Sequence, residues 1–152
     1  KIMSKKSLYV DMDNGMVDFP SAFEQLSPEV LNEYEGRMDE VPSIFSMMSP
    51  MPEAIESYAE LSELFDTYIL STAPWANQSA WSDKLLWVKK YLGKHAHKRL
   101  VLSHYKNLCA GEFLIDDRLK NGADKFKGEL ILFGSEPFAD WAQVMAYMRT
   151  VA

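Results

Sequence analysis

Two pairs of aspartates lie where a divalent cation and a phosphate could meet. Asp11 and Asp13 are two residues apart, Asp116 is followed directly by Asp117, and each pair comes at the end of a short apolar run. Residues two apart in an extended segment share a side, so Asp11 and Asp13 can face one pocket. Four carboxylates at one rim would repel one another and raise one another's pKa unless a cation compensates them. Mg²⁺ is the natural candidate, because it takes one or two carboxylates, keeps several waters and leaves room for a phosphate oxygen.

Hydroxyl and ammonium groups come between the two aspartate pairs in the sequence. Ser71 and Thr72 follow one apolar run, and Lys106 follows the next. The hydroxyls can donate to a phosphoryl group, and the lysine supplies a fixed positive charge, so all three are candidate phosphate-binding residues. Beside a bound cation, Asp11 could attack phosphorus to form an aspartyl-phosphate, while Asp13 donates a proton to the leaving oxygen and later activates water. The residues therefore predict phosphoryl chemistry with Asp11 as nucleophile and Asp13 as general acid and base.

The elements that must position these groups are five apolar runs of strand length. They do not alternate between apolar and polar residues, which is typical of strands buried on both faces. Patterns of helical period lie between or after them, at 52–65, 82–92 and 138–149. Strands that alternate with helices predict an α/β fold, a doubly wound, Rossmann-like parallel sheet of about five strands. The runs are Leu8-Tyr9-Val10, Tyr68-Ile69-Leu70, Leu100-Val101-Leu102, Phe113-Leu114-Ile115 and Leu130-Ile131-Leu132-Phe133.

The segment 19–51 interrupts this alternation. It contains four prolines, a short helical pattern and a methionine-rich stretch. It is too long for an ordinary connection between a strand and a helix, and too short for a domain. We expect a small helical cap inserted after the first strand, with 1–18 and 52–152 forming the core domain. Ligands bind outside the carboxyl ends of strands in such sheets, so the cap would roof the site.

Length and charge limit the classes of partner. The chain has 152 residues, enough for one domain, and 16 Lys and Arg against 22 Asp and Glu give a net charge of −6. This balance argues against a nucleic-acid polymer or an anionic membrane as partner, and no apolar run is long enough to cross a bilayer. The single cysteine, Cys109, cannot form an intramolecular disulfide, which suits a reducing cytosol. We expect a cytoplasmic protein, monomer or homodimer, that acts on a small molecule.

The polar motifs, taken together, resemble a known superfamily. The run 10–19, VDMDNGMVDF, resembles the first motif of the haloacid dehalogenase superfamily, an Asp-x-Asp followed by a small turn. The run 68–74, Lys106 and the run 114–118 resemble the second, third and fourth motifs, in the family's order. More narrowly, from about residue 8 to 133 the chain is similar to the 5′(3′)-deoxyribonucleotidases, phosphatases with a small helical cap that dephosphorylate deoxynucleoside monophosphates.

The resemblance implies a role for each matching residue of the catalytic centre. Asp11 would be the nucleophile and Asp13 the acid and base. Mg²⁺ would be held by the Asp11 carboxylate, the Asp13 backbone carbonyl and a carboxylate of the Asp116-Asp117 pair, with Asp117 favoured as the direct ligand. Ser71, Thr72 and Lys106 would hold the phosphate.

The resemblance also implies a pocket for the base, and the sequence differs from the family pattern in two places. Phe19 would stack on the base, and Ile44 and Phe45 would close the pocket, although all three could equally be the core of the cap. Asn14 follows the second aspartate, with the glycine displaced by one, and Trp75-Ala76-Asn77 replaces a lysine expected to face the phosphate. Lys84 matches another family lysine, to which the sequence assigns no role.

Two alternative functions remain open from the residues alone. The first is a phosphatase for another small phosphomonoester such as a sugar phosphate, against which the apolar Phe19, Ile44 and Phe45 favour a flat base. The second is a receiver-like phosphorylation switch, which also has acidic residues, a hydroxyl and a lysine. A receiver would place the adjacent aspartates after the first strand and the lysine last, whereas here the adjacent pair follows Lys106.

Overall fold

Five parallel strands form the central sheet, with the first strand in the middle. A computed structural model describes residues 4–152. The sheet order is β5-β4-β1-β6-β7, and every neighbouring pair is parallel. The predicted doubly wound α/β sheet of about five strands is thereby confirmed. The elements are β1 (Ser7–Val10), β2 (Val17–Asp18), α1 (Pro28–Glu33), β3 (Ser49–Pro50), α2 (Ala54–Leu64), β4 (Asp66–Ser71), α3 (Ser79–Tyr91), β5 (Leu100–Leu102), β6 (Phe113–Asp116), β7 (Glu129–Leu132) and α4 (Trp141–Val151).

The two faces of the sheet are covered unequally. Right-handed connections from β1 to β4 and from β4 to β5 place α2 and α3 on one face, where α4 also packs. The strand order then reverses, so the β5–β6 and β6–β7 connections cross the other face, where the structure has only the short 3-10 segments Lys106–Leu108 and Ala123–Lys125. The buried cluster on this second face is correspondingly small; it consists of Leu70, Leu114, Ala123 and Phe126.

The three predicted helices are present, with shifted starts. The helix α4 begins at Trp141, because the side chain of Asp140 accepts a hydrogen bond from the Gln143 backbone N–H at 2.9 Å and so caps the first turn. The helix α3 begins three residues before the predicted position of 82, just after Asn77. The Asn77 side-chain amide donates to the carbonyl oxygens of Asp39 at 2.9 Å and Val41 at 3.0 Å, which ties the helix start to the inserted segment.

The inserted segment is bounded by two short strands. β2 pairs with β3 in antiparallel fashion, Val17 opposite Pro50, and between them lie α1 and three 3-10 helices. The segment buries Val41, Ile44, Phe45 and Met48 in the same hydrophobic cluster as the side chains of β1. It therefore packs as a roof on the sheet rather than around a core of its own. No helix within residues 4–152 is long and apolar enough to span a membrane.

Candidate active site

The carboxyl ends of β1 and β6 bring Asp11 and Asp116 to one lysine. The Asp11 N–H donates to the Ile115 carbonyl at 2.8 Å, which continues the β1–β6 ladder and fixes the Asp11 backbone. Lys106 Nζ lies 2.8 Å from Asp11 Oδ1 and 2.6 Å from Asp116 Oδ2, and all three side chains are buried. The Lys106 N–H in turn donates to the Asn121 carbonyl at 2.7 Å, so the two loops that follow β5 and β6 hold each other.

Asp117 lies beside Asp11 and Asp116, and one of its carboxylate oxygens has no hydrogen-bond partner. Oxygen atoms of Asp11, Asp116 and Asp117 all lie within 4.8 Å of one another. Asp116 is occupied on both oxygens, by Lys106 and by the Arg118 backbone N–H at 3.2 Å, whereas Asp117 Oδ1 is buried without a hydrogen-bond partner. A buried acceptor without a partner is costly, so Asp117 Oδ1 is a ready ligand for a hard cation.

Burial perturbs the pKa values of this cluster. Desolvation raises the pKa of Asp11 to about 6; Lys106 opposes the shift, whereas the negative charges of Asp116 and Asp13 add to it. Desolvation also raises the pKa of Asp117 to about 6. Three crowded carboxylates with one lysine leave net negative charge, and a divalent cation would compensate it.

Asp13 belongs to a second ion pair, which the sequence analysis did not find. Lys84 Nζ lies 3.0 Å from both oxygens of Asp13 and 2.8 Å from Ser71 Oγ. The lysine is fully buried, and its ammonium lies 4.3 Å from the centre of the Phe45 ring. A signal existed: the buried side of α3 is formed by Ala80, Lys84, Trp87 and Val88, a helical stripe that contains one charged residue.

The turn after Asp13 accommodates the Asn14 departure. Asn14 has a φ of 61°, in the left-handed region that asparagine tolerates better than most residues. Its N–H donates to the Val17 carbonyl at 2.8 Å, and the Trp141 indole donates to the Gly15 carbonyl at 2.8 Å. The turn is thus held from β2 and from α4 without a glycine directly after the aspartate.

The two predicted hydroxyls lie at different depths. Thr72 lines the cleft above the aspartates, and its hydroxyl donates to the Ser103 carbonyl at 2.7 Å. Ser71 has no exposed surface and accepts from Lys84, so it lies beneath the cleft rather than in its wall. Lys106 does not line the cleft either, because its side chain is enclosed between Asp11 and Asp116.

The cleft between the inserted segment and the sheet has a volume of about 710 Å³. Its roof carries Phe19, which packs edge-to-face on both Phe23 and Phe45 with 5.8 Å between ring centres. All three rings line the cleft. Ile44 differs from the expectation: it is fully buried and does not line the cleft, because neighbouring residues of the 3-10 turn Ile44–Ser46 point in different directions.

The opposite wall carries residues that sequence reasoning did not assign. Trp75 is 85% exposed and lies edge-on to the ring of His104, which also contacts Trp81. Arg118 and Lys120 line the same cleft. Trp75 occupies the place in the sequence where a lysine was expected to face the phosphate. Arg118 and Lys120 supply positive charge in the same cleft.

Comparison with known proteins identifies the family of the chain. Residues 21–139 match the family described as 5′ nucleotidase, deoxy (pyrimidine), cytosolic type C protein. The chain is 54% identical over 150 residues to a protein of Vibrio phage KVP40 assigned as a 5′(3′)-deoxyribonucleotidase, covering 99% of this chain and 88% of the relative. It is 28% identical over 152 residues to a protein of Staphylococcus aureus with the same assignment, covering 86% of this chain and 83% of the relative.

The fold has counterparts among solved structures. The haloacid dehalogenase-type hydrolase YfnB from Bacillus subtilis, whose structure was determined with magnesium bound, superposes with a TM-score of 0.67 at 14% identity, over 96% of this chain and 99% of that chain. A haloacid dehalogenase-like hydrolase from Streptococcus pneumoniae superposes with a TM-score of 0.53 at 15% identity, over 96% of this chain and 92% of that chain. The motifs, the fold and the family match lead to one conclusion: the chain belongs to the deoxyribonucleotidase family of haloacid dehalogenase-type phosphatases, and it is a phosphomonoester hydrolase.

Proposed function

We propose that this chain removes phosphate from deoxyribonucleoside monophosphates, with Mg²⁺ as cofactor and an aspartyl-phosphate on Asp11 as intermediate. The observation that carries the proposal is the cluster of carboxylate oxygens from Asp11, Asp116 and Asp117, all within 4.8 Å of one another. Asp13, two residues from Asp11, lines the cleft together with the aromatic rings of Phe19 and Phe45, whereas the three clustered aspartates lie behind the cleft wall. One part of this arrangement suits a phosphate with its cation, and the other suits a flat base.

The residues present fit a Mg²⁺ ion. The Asp11 and Asp117 carboxylates and the Asp13 backbone carbonyl would hold it, with Asp116 beside them bound to Lys106. Asp117 is favoured over Asp116 as direct ligand, because Asp117 Oδ1 has no other partner. When bound, Mg²⁺ supplies the positive charge that lets an anionic phosphate approach the carboxylate of Asp11.

In the first step, an Asp11 oxygen attacks phosphorus and the bond to the leaving oxygen breaks. The 2.8 Å contact with Lys106 holds the Asp11 carboxylate in one orientation, which reduces the entropy cost of the attack. Asp13 gives its proton to the leaving oxygen. Because Lys84 lies 3.0 Å from both Asp13 oxygens, it can keep one contact while the other oxygen carries the proton.

In the second step, water cleaves the aspartyl-phosphate. Asp13 takes a proton from the water as it attacks phosphorus, which regenerates the Asp11 carboxylate and releases inorganic phosphate. The Thr72 hydroxyl, after turning away from the Ser103 carbonyl, would donate to a phosphoryl oxygen in both steps, with Arg118 and Lys120 in the same cleft. Ser71 and Lys106 would act from below, by fixing Lys84 and Asp11.

The inserted segment 19–51 would act as the substrate cap. Phe19 and Phe45 offer ring faces and edges to a base, and Met38 adds an apolar contact in the same cleft. A sugar phosphate is the second candidate substrate, favoured only by the polar residues of the opposite wall. Membership of a phosphatase family, together with the aromatic roof, argues against a receiver-like switch.

An assay of phosphate release separates these possibilities. The purified chain is incubated with deoxyribonucleoside monophosphates, ribonucleoside monophosphates and a hexose phosphate, each with Mg²⁺ or with EDTA. We expect turnover of the deoxyribonucleotides with Mg²⁺ and none with EDTA. Preferred turnover of the hexose phosphate would overturn the substrate proposal, and full activity in EDTA would overturn the proposal of a Mg²⁺ cofactor.

A further inference from the structure

A second cavity lies on the other side of α3 from the aspartates. It has a volume of about 910 Å³ and runs between α3 and the strand β5. Its apolar floor is formed by Trp81, Leu85, Val88, Leu100 and Leu102, and we call this surface the edge groove. The edge groove and the substrate cleft share no lining residue, so the phosphatase site does not account for it.

The floor of the edge groove exposes large apolar side chains. Leu85 is 41% exposed and Trp81 is 38% exposed, although both lie on a helix that packs against the sheet. An apolar surface of this kind next to a cavity is typical of sites that bind a partner.

The strand that borders the groove has a free edge. Among residues 4–152, β5 pairs with β4 alone. The Ile69 N–H donates to the Arg99 carbonyl, and the Ser103 N–H donates to the Ser71 carbonyl, so the backbone groups of 99, 101 and 103 face β4. By the alternation of a parallel ladder, Leu100 and Leu102 direct their N–H and C=O groups outward. These groups can pair with an added strand.

The rim of the edge groove is basic. Lys89, Lys94 and Lys98 line it, and in the part of the chain that the structure describes none of them forms a salt bridge. No Asp or Glu is among the described residues that line the groove, although the full sequence carries a net charge of −6. Lys94 and Lys98 come just before β5, so the positive charge lies at the amino end of the free edge. This charge favours an acidic partner, and it disfavours a symmetric contact between two copies, which would bring like charges together.

We propose that the edge groove binds an extended segment of a partner protein, parallel to β5, in which aliphatic residues are preceded by a cluster of Asp and Glu. The aliphatic side chains fill the floor beside Leu85, Leu100 and Leu102. The backbone of the segment adds a strand to β5, and its carboxylates lie against Lys94 and Lys98. This binding does not depend on the phosphatase reaction.

Fluorescence anisotropy of a labelled peptide tests the proposal. The probe is the acetylated peptide Asp-Glu-Asp-Leu-Thr-Val-Thr-Val, and the control peptide has three lysines in place of the acidic residues. We expect saturable binding of the acidic peptide, about tenfold tighter than that of the lysine peptide, because complementary charge supplies part of the affinity. Equal affinity for both peptides, or no saturable binding of either, would overturn the proposal.

Variants on one helix locate the binding site. Leu85→Glu should weaken binding about tenfold, as for a central apolar contact. Leu86→Glu is the matched control, because Leu86 is 58% exposed on the same helix and does not line the groove. Lys98→Glu should also weaken binding, and Lys90→Glu, which is outside the groove, should not. Equal losses in a groove variant and its control would contradict the assignment.

Two further measurements separate this partner from other occupants. Hydrogen exchange should show slower exchange of the Leu100 and Leu102 amides when the acidic peptide binds; unchanged exchange would contradict strand addition. Light scattering should give the same mass for the unmodified chain and for Leu85→Glu. A dimer that Leu85→Glu dissociates would mean that a second copy fills the groove, and the proposal would be wrong. Phosphatase activity should be unchanged in Leu85→Glu, so the outcome is independent of the proposed reaction.

Discussion

Lys84 and Asp13 form a buried ion pair in which the lysine nitrogen is 3.0 Å from both carboxylate oxygens. The same nitrogen contacts Ser71 at 2.8 Å and lies over the Phe45 ring of the cap. One side chain thus touches the proposed general acid, the strand β4 and the roof of the cleft. This contact gives the cap a direct route by which its position can affect the orientation of Asp13.

Replacing Lys84 by methionine should lower kcat by about tenfold or more, because a group that orients the general acid in the transition state is lost. The free energy of unfolding should also fall, since one partner of a buried ion pair is removed. Steady-state kinetics and thermal unfolding measure the two effects. Lys90→Met is the control, because Lys90 is exposed on the same helix. An unchanged kcat in Lys84→Met would rule out a positioning role.

Replacing Asp11 by asparagine should abolish turnover, by at least about a thousandfold, as expected when a nucleophile is removed. Circular dichroism should show an intact fold, because the amide keeps the size of the carboxylate. Asp124→Asn, at an exposed position, should retain full activity. Normal turnover of Asp11→Asn would refute the assignment of the nucleophile.

Replacing Phe19 by alanine should raise KM for nucleotides about tenfold and leave kcat within about twofold, because a stacking contact contributes to binding in the ground and transition states alike. Ile44→Ala provides the contrast. It should lower the free energy of unfolding by about 2–5 kcal/mol, the usual cost of truncating a buried isoleucine, without raising KM. If KM is unchanged in Phe19→Ala, or rises as much in Ile44→Ala, the description of the roof is wrong.

Metal-free protein should lose stability as the pH rises from about 4 toward 7. Burial raises the pKa values of Asp11 and Asp117 to about 6, above those in the unfolded chain, so in this interval the folded state binds more protons. Deprotonation then favours the unfolded state, and the contribution present below the unfolded pKa is lost as the pH passes through the folded pKa. Thermal unfolding in EDTA across this range measures the effect, and Asp117→Asn should reduce it. If the stability of Asp117→Asn falls with pH as steeply as that of the unmodified chain, Asp117 does not contribute to the loss.

Mg²⁺ should reverse this loss near neutral pH. A cation that binds the folded state alone raises Tm by mass action, and Asp117→Asn should need at least about tenfold more Mg²⁺ for the same shift. Asp124→Asn, which changes an exposed carboxylate, should respond like the unmodified chain. Identical Mg²⁺ titrations of Asp117→Asn and the unmodified chain would show that Asp117 is not a ligand.

The strand ends were predictable from the sequence, because fully apolar runs define β1, β4, β5 and β6 and each ends in polar residues. These strand ends place Lys106 at the same edge of the sheet as the aspartates, but they do not predict that it contacts Asp11 and Asp116 instead of lining the cleft. The sequence did not show that the β5–β6 and β6–β7 connections lack α-helices, because short connections and helical ones both contain apolar residues. Buried side chains such as Leu70 and Leu114 do not reveal what covers them.

The spacing of residues in the sequence does not determine in which direction each side chain of the site points. Ile44 and Phe45 are adjacent and both apolar, and only the fold of the 3-10 turn puts Phe45 in the cleft and Ile44 in the core. Lys84 was missed because a single lysine on a helix is usually solvated, although its place on the buried stripe was a usable signal. Ser71 was expected to touch phosphate directly, whereas the structure puts Lys84 against it.

Trapping the covalent intermediate would identify the nucleophile. The chain is mixed with a deoxyribonucleoside monophosphate and Mg²⁺, quenched during turnover and treated with borohydride, which reduces an aspartyl-phosphate to homoserine. Peptide mass spectrometry then identifies the modified position. We expect homoserine at position 11 and none in a sample without substrate. Modification of a different aspartate, or turnover with no trapped residue alongside a positive control acyl-phosphate, would contradict this expectation.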